Sequence, residues 1–196
     1  MINAVLDEEC LVPTNFMRAC TAVITEISYN ESDRADEKYR AEIEFITRDD
    51  WIRELRVMLA DMAVAQDSSG AEQTASESET NVAYHKISAV YPFLQSDEVK
   101  KGKFDMNGFA EHPSVKDLLG SVKHISSATS TEFLNLLKRF IDSKEKPSAG
   151  KKEPDSIEHW PLIKVVKVFV KSPILELGLV LVDLVSDFDS SIWLVR

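Results

Sequence analysis

Sequence of β-strand character lies at the two ends of this chain, with helical and polar sequence between, and that separation constrains the fold more than any other feature. "TAVITEISY" is rich in β-branched residues. "YRAEIEFIT" sets Ala41, Ile43 and Phe45 against Glu42 and Glu44, the alternation of a half-buried antiparallel strand. Near the other end, "PLIKVVKVFVK" alternates in part, and "LGLVLVDL" is a continuous apolar run of the kind found in strands buried on both faces. Strands at both ends of a helical stretch imply an α/β sheet interrupted by an accessory helical region.

The sequence between and around the strands supports that order. "MINAVLDEE" has helical character, with Ile2, Val5 and Leu6 on one side, and "LVPTNFMRAC" reads as a loop around Pro13. The charged stretch from Asn30 to Lys38 connects the first two strands. Thr47 opens a helix: Thr47 and Asp50 have capping-box spacing, and Trp51, Ile52, Leu55, Met58, Leu59 and Met62 recur at helical intervals. "QDSSGAEQTASESETN" carries too little apolar surface to bury and predicts a disordered linker near 66–80. Helical patterns return at "VAYHKISAVYPF" and at "TSTEFLNLLKRFID", where Thr129 and Glu132 again have capping-box spacing. "DSKEKPSAGKKEPDS" predicts a second flexible segment near 143–156.

Composition narrows the function classes. With 196 residues, 44% of them hydrophobic, the chain can form one domain with a real core. A net charge of −10 argues against unspecific binding to nucleic acid or anionic membrane. Lys100, Lys101 and Lys103 form a small basic cluster that reads as a solvated loop. Cys10 and Cys20 are the only cysteines, and nothing marks secretion, so free thiols in a reducing cytoplasmic or nuclear compartment are expected. No apolar segment approaches the roughly 18–20 residues of a membrane span.

His85, His112, His124 and His159 are widely spaced and none has a His or Cys partner at ligand spacing, so structural or surface roles are expected. Neither cysteine lies in a nucleophile signature, and no G-x-S-x-G is present. What remains is Asp183, a carboxylate closing an apolar strand, and the "RACTAVITE" stretch. Open α/β sheets bind ligands at the carboxyl ends of parallel strands, where a threonine at a neighbouring strand mouth could share a Mg²⁺. An ordinary strand end fits the same residues.

"INAVLDEE", "VPTN", "RACTAVITEISY" and "YRAEIEFITRDDW", followed by "HWPLIKVVKVFVKSPILELGLVLVDL", resemble the dynamin-type large GTPases, and among them the largely fungal group related to the nuclear GTPase SLIP-GC. The resemblance runs from Met1 to Leu184. It implies a partial P-loop GTPase (G domain) sheet with an inserted helical region, truncated at both ends. Residues 1–47 would hold the first helix, switch I and two strands; 48–156 the helical insertion; 157–184 the strand pair ending in the switch II aspartate; and 185–196 an aberrant tail. Thr21 takes the implied role of the switch I threonine, the catalytic residue that senses the γ-phosphate through Mg²⁺. Asp183 takes that of the acidic residue of the D-x-P-G motif, and both are implied ligands of Mg²⁺ and GTP.

Departures from the family pattern are specific. No G-x-x-x-x-G-K-S-S loop is present, and Gly70, Gly102, Gly108, Gly120, Gly150 and Gly178 are isolated. Val185 and Ser186 stand where Pro-Gly follows "DL", and no N/T-K-x-D base-reading motif occurs. The expectation is that GTP and Mg²⁺ belong to a full-length relative and neither is bound by this chain. Val-Ser is also what a common splice-donor sequence encodes, so "VSDFDSSIWLVR" is expected to be translated intron and the chain a fragment of a larger gene product. With no P-loop strand beside it, "LGLVLVDL" should present an unpaired apolar edge and promote aggregation. Expected partners are another copy of the chain or a full-length relative. The competing readings are a non-catalytic interaction module, in which Trp51, Trp160 and the helix faces of the insertion pack on a partner, and a plain α/β domain.

Overall fold

A computed structural model of the chain describes residues 2–8, 11, 23–67, 73–92, 106–141, 157–184 and 191–195. They divide into a sheet unit, Met1–Phe45, Val122–Asp142 and Ile163–Arg196, and a helical unit, Ile46–Ser121 and Ser143–Leu162. The fold is therefore mixed α/β, and the helical unit is inserted into the sheet unit's sequence.

The sheet unit contains helix α1 (Ile2–Val5) and strands β1 (Ile24–Tyr29), β2 (Tyr39–Phe45) and β3 (Val122–Ser127). Beyond β3 come a helix, Ser130–Ile141, and strands β4 (Ile163–Val170), β5 (Val180–Leu184) and β6 (Ser191–Val195). The strands form one six-stranded sheet in the order β3-β2-β4-β1-β5-β6. Only β1 and β4 run parallel; every other neighbouring pair is antiparallel. On β2, Tyr39, Ala41, Ile43 and Phe45 are buried while Arg40, Glu42 and Glu44 are half-buried, as the alternation predicts. The strands β1 and β2, consecutive in sequence, do not pair, because β4 lies between them. Their connection crosses the end of β4. There the buried Asn30 donates its backbone N–H to Val170 O (3.1 Å) and its side chain to Glu37 O (2.7 Å) and Lys38 O (3.1 Å).

One face of the sheet is covered. Register places Ala41, Val168 and Ile27 on it, together with Ile43 and Val166, and all of these are buried. The Ser130–Ile141 helix contributes Phe133, Leu137 and Ile141, one turn apart, and the Phe133 ring lies 6.0 Å from that of Tyr39. Each such burial stabilises by about 1.5–3 kcal/mol relative to exposure. The helix starts as its spacing predicts: Thr129 Oγ1 accepts from Glu132 N (3.4 Å), and the Glu132 carboxylate accepts from Ser127 Oγ (2.7 Å). The N-terminal segment covers the same face through buried Leu6. Tyr39 donates its hydroxyl to Glu8 (2.8 Å), and Ser172 donates to Leu6 O (3.4 Å).

The helical unit is built on α2 (Arg48–Asp67) and α3 (Gln73–Val90), with α4 (Met106–Ala110) and α5 (Pro113–Lys116) beside them. The Ser130–Ile141 helix is thus α6. Thr47 caps α2 as expected, accepting from Asp50 N (3.2 Å) and donating to the Asp50 carboxylate (2.6 Å). Trp51, Ile52, Leu55, Met58 and Met62 are buried on α2, and Ala83, Ile87 and Val90 on α3. Tyr91 closes this core: its hydroxyl accepts from Trp51 Nε1 (2.9 Å) and donates to Phe109 O (3.1 Å). Burial pushes its phenol up to about 12.

Several expectations change. The segment expected to be a linker near 66–80 enters α3 at Gln73, because Ala, Gln and Glu are good helix formers even where nothing apolar drives packing. The segment near 143–156 lies outside the described residues. Strand β3 is absent from the sequence reading; its exposed Val122, Lys123 and His124 break the alternation by which strands are recognised. Both β3 and α6 belong to the sheet unit and not to the insertion. Strand β5 is antiparallel to both neighbours, and Leu181 alone is buried among Val180–Asp183, so it is not a parallel strand covered on both faces. Nor is its edge unpaired. The expected aberrant tail supplies β6, which pairs with β5 from Val180↔Val195 to Leu184↔Ser191.

Candidate functional site

Asp183 lies near the end of β5, opposite Thr25 of β1 on one side and Ile192 of β6 on the other. Residues directly opposed in an antiparallel pair have Cβ atoms about 4.5–5.5 Å apart and share a face. Two residues back, Leu181 faces Ile27, and both are buried. The period of two therefore turns Asp183 and Thr25 toward the covered face as well. On β1's far side Thr25 is in register with buried Val166. Among the described residues, Asp183 thus has Thr25 opposite it, with buried Leu181, Ile27 and Val166 on the same face.

The electrostatic consequence follows directly. Burial pushes the Asp183 carboxyl above the ordinary carboxylate range, and among the described residues no charge offsets it. Thr25 is buried and donates its hydroxyl to Val23 O (3.5 Å). Sequence reasoning missed Thr25. The available signal was a polar residue at an inward position of a strand whose other inward positions, Val23 and Ile27, are apolar.

Thr21 lies outside the described residues, as do Cys10, Cys20, Val185 and Ser186. The antiparallel pairing nevertheless sets where the chain enters β1: Ile24 begins that strand at the end of the sheet where Asp183 stands. That is the amino end of the parallel pair β1 and β4, opposite to the carboxyl end at which open α/β sheets bind ligands.

The donor set does not assemble a metal site by itself. Among the described residues no group of three His, Cys, Asp or Glu side chains could hold an ion. Mg²⁺ accepts one or two carboxylates when substrate phosphates supply other ligands, and the sequence holds no G-x-x-x-x-G-K-S-S loop of the kind that cradles phosphates. Asp183 and Thr25 alone do not fit a resident Mg²⁺.

The sheet's other face offers charges already matched to each other. Lys167 donates to Glu44, which holds its ammonium pKa up, and Glu26 and Glu42 add to the effect. Glu42 lies 3.8 Å from His124 Nδ1 and 4.0 Å from Arg40, whose guanidinium stands 5.3 Å from the centre of the Phe169 ring. On this face Lys167 pairs with Glu44 and Arg40 with Glu42.

The tryptophans expected to anchor a partner are inside. Trp51 is buried against Tyr91, and Trp160, also buried, donates its indole N–H to Glu158 (2.9 Å). An interaction module built on those side chains loses its anchors. None of the helices among the described residues is long and apolar enough to cross a membrane. No protein-family model matches the chain, and no curated protein matches it at a significant level.

Proposed function

We propose that this chain is a segment of a dynamin-type G domain whose full-length form binds and hydrolyses GTP with Mg²⁺, and that the chain alone does neither. The register of β1 against β5 carries the reading. A switch I threonine and a switch II aspartate must approach one Mg²⁺ from neighbouring strands, and the pairing Thr25↔Asp183 brings the chain into β1 beside Asp183. Thr21 precedes that strand by a few residues. Support also comes from the ordered run of sequence pieces and from a helical unit inserted between the two strand groups.

The proposed inactivity rests on chemistry. Phosphoryl transfer needs preorganised N–H donors and a lysine around the phosphates, and a metal held between protein and phosphate. Asp183 supplies one carboxylate, and its desolvated position disfavours the charged form unless a cation arrives.

Titration of the chain with a fluorescent GTP analogue, with and without Mg²⁺, tests the second half of the proposal. No Mg²⁺-dependent saturation in the micromolar range is expected, and saturable binding would refute it. Genomic DNA and long-read transcripts test the first half. An in-frame Gly-rich loop before codon 1 and Pro-Gly codons after Leu184 are expected, and a locus with neither defeats the family reading.

A further inference from the structure

The chain has six asparagines, and only Asn107 is followed by glycine. A glycine in that place has no Cβ to block its own backbone nitrogen from reaching the asparagine side chain. Asn107 and Gly108 are both exposed, on α4, a helix of five residues that begins at Met106. So short a helix is marginal on its own, and none of its own carbonyls lies four residues before Gly108. Opening of its first turn is a local event. A cation is already in place: Arg48 of α2 donates from Nη2 to Asn107 Oδ1 (3.5 Å). The same guanidinium donates from Nε to Glu111, just past α4 (2.8 Å), and Asp49 lies 3.8 Å from its Nη1.

We propose that Asn107–Gly108 is a self-modification site, at which the asparagine converts to aspartate and Arg48 directs the product. The Gly108 nitrogen attacks Asn107 Cγ as its proton passes to solvent base, and the N–Cγ bond forms. The Cγ–Nδ2 bond then breaks, and ammonia leaves with a proton drawn from solvent. The cyclic imide that remains takes up a water. In sum, water is consumed and ammonia released, and no oxidant or reductant is needed. Arg48 acts in both steps. Negative charge collects on Oδ1 during the attack, and a guanidinium aimed at that oxygen stabilises it. Water can open the imide at Cγ, giving ordinary aspartate, or at the main-chain carbonyl, giving isoaspartate. Polarisation of the Cγ carbonyl favours the first, and the carboxylate formed faces the same guanidinium. The choice matters to the core beneath. Isoaspartate adds a carbon to the main chain beside Phe109, whose carbonyl accepts from the Tyr91 hydroxyl (3.1 Å) and whose ring lies 4.8 Å from that of Tyr91. Arg48 steers the reaction to the product that leaves this contact intact. The proposal stands independently of the nucleotide reading.

The test is timed incubation of the full chain at mildly alkaline pH, in native buffer and in urea. Peptide mass mapping that separates aspartate from isoaspartate reads the products. In the folded chain Asn107 should convert faster than each of the other five asparagines, and the aspartate share should exceed that in urea. Gly108→Ala should slow conversion about tenfold or more in both conditions, because its Cβ crowds the attacking nitrogen. Arg48→Ala should slow it about two- to fivefold in native buffer, the scale of an exposed charge contact, and shift the product toward isoaspartate. Arg48→Lys, which keeps the charge, should fall between Arg48→Ala and the parent. In urea both Arg48 variants should match the parent. The comparison of native buffer with urea uses the unmodified chain, so it is free of any folding defect. No conversion at Asn107 in the folded chain overturns the proposal, as does the same product mix folded and in urea. An Arg48→Ala chain that matches the parent in native buffer, or is slowed equally in urea, also overturns it.

Discussion

The two ends of the sheet solve different problems. At the β3 end, α6 lays Phe133, Leu137 and Ile141 on the covered face, and Lys167–Glu44 and Arg40–Glu42 pair on the opposite face. At the β5 end, Leu181 alone is buried among Val180–Asp183, and an acidic residue, Asp183, turns toward the covered face with no ion pair among the described residues. A sheet optimised only for stability would carry a valine at that position. Packing is concentrated where the fold is held, and an energetically unfavourable carboxylate is kept where two strands and a strand entrance meet.

That contrast can be broken by substitution. The largest effect should come from Phe133→Ala, which removes the ring facing Tyr39 and leaves a cavity under α6. A loss of about 3–5 kcal/mol in denaturant unfolding is expected, and a loss under about 1 kcal/mol would remove α6 as the sheet's main packing partner. Leu181→Ala should cost less, about 2–3 kcal/mol, at the lower end for buried leucine because its half-buried neighbours let the site collapse. If it equals or exceeds Phe133→Ala, the two ends are equally cored and the comparison fails.

The next effect should be a gain. The folded state of Asp183 holds its proton above the ordinary value of 3.8, so unfolding releases a proton as pH rises through the window between the two. The penalty is absent below the ordinary carboxylate range and complete above the raised folded value. Asp183→Asn should therefore raise the unfolding midpoint at neutral pH, leave it unchanged in acid, and flatten the pH dependence. A variant less stable than the parent at neutral pH would mean that the carboxylate is favourably paired. Smallest is Lys167→Met on the open face: breaking a half-exposed pair with Glu44 should cost under about 1 kcal/mol and less at high salt. A larger, salt-insensitive loss in thermal unfolding would show that the charged face carries stability.

Much of the fold was legible where side-chain chemistry repeats with the period of the element. Ala41, Ile43 and Phe45 against Glu42 and Glu44 marked β2, and Trp51 through Met62 marked α2, because a half-buried face imposes its own spacing on the sequence. Thr47 with Asp50, and Thr129 with Glu132, marked two helix starts because caps are local contacts. Illegible were β3, whose exposed edge imposes no pattern, the start of α3 at Gln73, and the role of Ser191–Val195. The candidate site was half legible. Asp183 stood out as a charge ending an apolar run, whereas Thr25 looked like one more β-branched residue until the register set it opposite Asp183.

By itself the sequence determined which segments could be strands and helices, where two helices begin, and that its glycines are isolated, since each of these depends on neighbours within a few residues. Tertiary structure decided that β4 separates β1 from β2, that β5 runs antiparallel to β1, and that "SIWLV" completes the sheet. Pairing joins residues far apart in sequence through backbone groups that every residue carries, so strand order leaves no mark on side-chain identity until the chain has folded.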